Sequence, residues 1–202
     1  MSQVSASMRS ANGVALKEWA VICRELGRGR QIVLLRKGGI REPSRGFTVE
    51  HGEFFLFPTY VHQNEDELIE TARAALPDVA RAAPPGGILR LDLHATVAAV
   101  IEVSDLDALR RLDGQHALAW PAVERRFHYR RPGLHVLALR VFRLPQPLAV
   151  PNLARYDGCR SWVPLGFEHP LDGCEPVLPD EEFQRRVRAL QNALARPASS
   201  GR

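Results

Sequence analysis

The chain has 202 residues, 45% of them hydrophobic, and a formal charge of +4. That size and apolar content suit one globular domain with a sizeable core, and no apolar run approaches the roughly 18 residues of a membrane span. The three cysteines, Cys23, Cys159 and Cys174, are too few for a disulfide framework, and no apolar signal segment follows Arg9, so the reading is a cytoplasmic protein.

Residues 1–12 and 197–202 are small and polar and read as tails, leaving 13–196 as the domain. Residues 15–24 (ALKEWAVICR) set Trp19, Val21 and Cys23 against polar or small neighbours, the period of a half-buried strand, with a short helix as the other reading. GRGR (27–30) is a turn signal and QIVLLR (31–36) a second strand, so the pair reads as a β-hairpin ended by Gly38 and Gly39. A loop follows at 41–48, then a strand EFFLF (53–57) stopped by Pro58. Asn64 before Glu65, Asp66 and Glu67 starts a helix that Pro77 breaks or kinks.

Residues 88–103 read as one long strand, or two with a bend. Ser104 and Asp107 resemble a capping box and open a short helix carrying Leu106, Leu109 and Leu112. Residues 134–144 (LHVLALRVFRL) are the clearest strand, apolar enough for a central position and bounded by Pro145. The Pro- and Gly-rich stretch 145–179 carries one strand at 161–165. Asp180 then caps a closing helix with Phe183, Val187, Leu190 and Leu194 as its stripe. Strict βαβ alternation is lacking. The expected fold is therefore α+β: a curled, mainly antiparallel sheet or a partly closed small barrel, with about three helices.

Several stretches resemble the bacterial domain-of-unknown-function family 1802: ALKEWAVIC (15–23), QIVLLRKGGI (31–40), FFLFPTYVHQ (54–63), RFHYRRPGLHVLALRVFRLPQP (126–147) and YDGCRSWV (156–163). The resemblance covers most of 14–180 and carries no activity with it. A second likeness is one of pattern. The strand-turn-strand ending in LLRKGG, followed by HATVAAVIEV and a leucine helix, resembles PUA-like barrels and their ASCH-type branch. That likeness implies a curled sheet that binds RNA or modified bases.

Charge distribution supplies the first candidate site. Of 27 basic residues only Lys17 and Lys37 are lysine, a bias that a GC-rich genome produces without selection for guanidinium chemistry. Position is more informative. Seven basic residues lie between Arg24 and Arg45 against two acids, and seven more between Arg125 and Arg155 with none. Phe127, His128 and Tyr129 stand among them. Cations beside aromatic rings are what a single-stranded nucleic-acid groove requires: charge follows phosphates and rings stack bases. In this reading Arg36 and Lys37 hold phosphate beside Gly38 and Gly39. Arg126, Arg130 and Arg131 extend the track, Tyr129 or Trp162 stacks, and Tyr60, His62 and Gln63 read polar groups of the ligand. The partner class is RNA or single-stranded DNA. The ordinary reading of the same arginines is a solvated surface.

The alternative is a hydrolase or nuclease. Glu50, His51 and His62 offer a general base. Cys159, beside Arg160 in a glycine turn, offers a nucleophile, with His169 as a base that the sequence does not place. A zinc site from Cys159, His169 and Cys174 has no paired CxxC behind it. Asp92 and Glu102 lack the lysine of a Mg²⁺-dependent nuclease, since Ser104 stands in its place. No P-loop, Nudix box, Rossmann or haem motif names a cofactor. A third reading is an accessory module that contacts a protein through 145–179.

Overall fold

The computed structural model describes residues 10–37, 50–158 and 160–195. Seven strands form one sheet: β1 (Ala11–Trp19), β2 (Val33–Arg36), β3 (Glu53–Thr59), β4 (Ile88–Val103), β5 (Leu134–Pro151), β6 (Trp162–Pro170) and β7 (Glu175–Pro176). Their order is β2-β5-β4-β3-β1-β6, with β7 beside β5. Every pair is antiparallel except β1 with β3. The sheet stays open, so the α+β expectation holds in its curled-sheet form. Six α-helices are found among the described residues against about three expected: α1 (Ala20–Gly27), α2 (Glu70–Arg73), α3 (Leu76–Arg81), α4 (Leu106–Arg110), α5 (Trp120–His128) and α6 (Asp180–Ala195).

The core has two layers, and period-2 side-chain alternation sorts residues between them. Leu16, Phe54 and Leu56 pack into the larger layer with α1 and α6, whereas Ala15, Phe55 and Phe57 pack into the smaller one with Tyr156 and Leu165. Cover on both faces explains why β3 reads as an unbroken apolar run.

The 15–36 hairpin is not formed. β1 stops at Trp19 and the chain turns into α1, seven of whose eight residues are buried. β1 then pairs with β3 and β6, and β2 with β5. β1 also begins at Ala11, two residues inside the expected tail, because Ala11 and Asn12 pair with Pro170 and His169.

Proline stops fewer elements than expected. β3 continues through Pro58 to Thr59. Pro77 sits in the first turn of α3, where its missing N–H costs nothing. β5 passes Pro145 and Pro147 because the β4–β5 register shifts there, from Leu93↔Arg143 to Leu91↔Leu148. A bulge tolerates a residue that cannot donate to the ladder. Asp105, rather than Ser104, caps α4, its carboxylate accepting from the Asp107 N–H at 3.0 Å. The expected strand at 161–165 is β6, which runs on to Pro170.

Candidate functional site

The ends of β1, β2 and β3 and the C-terminal end of α5 meet at one edge of the molecule. Arg36 ends β2. Its guanidinium reaches across to β1, 3.1 Å from the Glu18 carboxylate and 3.3 Å from the Lys17 carbonyl oxygen. Both side chains are largely buried, at 15% and 9% exposure. Glu18 also accepts from the Trp19 N–H at 2.8 Å, and the Thr59 hydroxyl donates to the Glu18 carbonyl at 3.1 Å.

Lys37 joins the two basic stretches. Its ammonium donates to the carbonyls of Phe127 (3.0 Å), Gly133 (2.7 Å) and Arg131. It thus caps the end of α5, where carbonyls lack intrahelical partners. Burial lowers its pKa, and the Arg131 charge adds to that shift. Lys37 and Arg36 are therefore committed to protein groups rather than extended into solvent.

Around α5, Arg125 and Arg126 both pair with Glu67, at 2.6 and 3.1 Å. The Arg126 guanidinium also lies 5.3 Å from the Trp19 ring. Beyond the helix the chain turns outward, with Arg130 in the left-handed region at φ 62°. Arg130 stacks over the Tyr129 ring at 5.2 Å, and that ring is 46% exposed. Arg130 and Arg131 are exposed and form no ion pair among the described residues. Among the described residues of the cluster these are the exposed cations without an ion pair, beside one exposed ring; Arg125, though paired with Glu67, is also 59% exposed.

The β3 end contributes mainly structure. His62 is exposed in the left-handed region at φ 61°, and the turn it makes carries Gln63 back to α1. There the Gln63 side-chain Oε1 accepts from the Val21 N–H at 2.9 Å, satisfying an otherwise unpartnered donor at the helix start. Tyr60 is half-buried against the core, and burial raises its pKa.

Other expected residues fall elsewhere. Trp162 is only 8% exposed and packs edge-on against Phe54 and His51, so its faces are not open to a base. His51 and His62 flank the seven-residue β3, which separates them by roughly 20 Å. Glu50 lies at the His51 end, so the three candidate bases share no point. His169 pairs with Asn12 across β1 and β6. The Cys174 thiol is pushed up by burial and by Asp172. Gly38, Gly39 and Cys159 lie outside the described residues. No group of three or more His, Cys, Asp or Glu suited to a metal occurs among the described residues.

The later arginines leave this edge. Arg140 pairs with Asp180 and lies 4.8 Å from the Phe183 ring, Arg143 donates to the Gly27 carbonyl, and Arg155 donates to the Leu165 carbonyl. The stretch from Arg125 to Arg155 is thus dispersed over several surfaces. Glu18, Trp19 and Glu67 are the members that sequence reasoning missed. The polar pair Lys17-Glu18 before an apolar run was the available signal.

Comparison with solved structures finds the crystal structure of ASCH from Zymomonas mobilis, with TM-score 0.45 and 14% identity over 87% of this chain and 93% of that one. A tyrosine-to-phenylalanine mutant of the same protein matches with TM-score 0.43 and 15% identity over 87% and 96%. No curated protein matches the chain. No helix among the described residues is long and apolar enough to cross a membrane. A protein-family model, Domain of unknown function (DUF1802), matches residues 15–189, and the chain belongs to that family.

Proposed function

We propose that the protein binds single-stranded nucleic acid, RNA or DNA, on the edge formed by the α5 terminus and the ends of β2 and β3. The observation that carries this reading is the Lys37 contact with the carbonyls of Phe127, Arg131 and Gly133. It fastens the end of β2 to the turn after α5 and holds the Tyr129–Arg130 pair at this edge. In this reading Arg130 and Arg131 contact phosphates, and Tyr129 stacks a base with its ring backed by a guanidinium. Tyr60 and His62 supply polar contacts. Arg36, Lys37, Arg126 and Gln63 hold the platform rather than the ligand.

The hydrolase alternative has less support, because Glu50, His51 and His62 do not converge and catalysis needs its acid and base near one reacting atom. The test is fluorescence anisotropy with labelled single-stranded RNA, single-stranded DNA and duplex DNA at several salt concentrations. Salt-sensitive binding to a single strand supports the reading, and absence of binding at low salt removes it.

A further inference from the structure

Away from this edge a cleft of about 500 Å³ opens between the turn after α1, the start of α2, the segment before α5, and α6. Its size falls in the range of small-molecule sites, roughly 300–1,000 Å³. Three arginines line it, Arg28, Arg30 and Arg186, against one acid, Glu25. Two of the guanidinium groups are held in fixed positions. Arg30 is gripped by Glu25, with one contact at 2.6 Å, and Arg186 lies between Glu182 and the Gly29 carbonyl oxygen, each at 2.6 Å. A guanidinium has five N–H donors, so each keeps some for a ligand. Arg28 is exposed and forms no ion pair among the described residues.

His116 gives the cleft a second, independent mark of a ligand. It is 5% exposed, lines the cleft, and neither ring nitrogen makes a hydrogen bond of ordinary geometry among the described residues, although the Leu118 backbone and its own lie close enough to favour the charged ring. Burial holds its pKa below the ordinary value, offset in part by Asp113 and by the nearby Leu118 backbone, so the ring is neutral at pH 7 and offers one donor and one acceptor. A buried polar group left unpaired is costly, and a ligand hydroxyl or carbonyl would relieve it. Thr71 adds an exposed hydroxyl, while Ile69 and Leu178 form an apolar wall.

We propose that this cleft binds a phosphate-bearing small molecule of about mononucleotide size. The arginines take the phosphate, whose geometry matches the guanidinium fork. His116 and Thr71 take the polar body, and Ile69 and Leu178 its apolar side. This site is separate from the nucleic-acid edge and stands or falls without it.

The experiment is an NMR amide titration of the full chain with inorganic phosphate, ribose 5-phosphate and the four ribonucleoside 5′-monophosphates. The expected result is saturable shifts at Gly29, Arg30, Gly114 and Ala117 with at least one organic phosphate, weakened about tenfold or more by Arg28→Gln. Arg188→Gln, an exposed change on α6 outside the cleft lining, should leave them unchanged. No saturable shift at these amides with millimolar probe, or shifts indifferent to Arg28→Gln, would overturn the proposal. Inorganic phosphate binding as tightly as every organic probe would also overturn it. Shifts confined to Arg130 and Arg131 would report the other edge and count against this cleft.

Discussion

Arg36 and Glu18 meet at 3.1 Å although β5, β4 and β3 lie between their strands in the sheet. Among the described residues the sheet has no closing backbone pair, so this ion pair ties the edge strand β2 to β1 across the sheet. Leaving one member of a buried pair without its partner costs about 3–5 kcal/mol. Arg36→Met should therefore lower stability by about 3 kcal/mol in urea unfolding. Combining it with Glu18→Gln should cost less than the sum of the two single changes, the signature of direct coupling.

Lys37 fixes the turn after α5 through three carbonyls. Hydrogen bonds from a charged donor contribute roughly 1.5–3 kcal/mol. Lys37→Met should cost about 2 kcal/mol. Hydrogen exchange should speed up most at the Arg131 and Gly133 amides, which bond to Tyr129 and Phe127 across this turn.

His94 is fully buried between Phe55 and Phe142, with neither ring nitrogen bonded among the described residues. Burial lowers its pKa from 6.5 to about 4. Between those values the unfolded chain binds a proton that the folded chain refuses. The stabilising contribution is thus complete above pH 6.5 and is lost as pH falls toward 4, by roughly 3 kcal/mol in total. Burial of His116 acts in the same direction. Stability measured from pH 7 to pH 4 should fall, and His94→Leu should flatten that fall with little loss at pH 7.

Gln63 supplies the side-chain bond at the start of α1. Loss of a comparable helix cap costs about 1 kcal/mol. Gln63→Leu should lower stability by that amount and expose the α1 amides to faster exchange.

Sequence made some elements readable and hid others for physical reasons. The alternation of Phe54 and Leu56 against Phe55 and Phe57 reports a strand buried on both faces; β4 shows instead as one long alternating run, and β5 as an apolar run over 134–144 whose continuation past Pro145 the prolines masked. α1 was only the second reading of its stretch because it is buried on nearly every side, and Val21 and Cys23 imitate a strand. α5 was hidden because its buried residues are few, Ala122, Val123 and Phe127, among arginines. The basic stretches were visible as composition, but their neutralisation was not. Glu18 and Glu67 are remote in sequence from the arginines they pair with, and only the fold brings them within reach. At the α5 edge, among the described residues, the cations left exposed without an ion pair are Arg130 and Arg131, beside the Tyr129 ring, a smaller set than the charge count implied.

In the function proposed above, those three residues form the single-strand contact. The most direct measurement is the salt dependence of single-stranded RNA binding for the native chain and for Arg130→Gln with Arg131→Gln. Both arginines are exposed, so the fold should survive the change. Each phosphate contact contributes about 0.7 to the slope of log affinity against log salt on single strands. The double variant should bind more weakly, with a slope shallower by about 1.4. Equal slopes and equal affinities in the two proteins would contradict it.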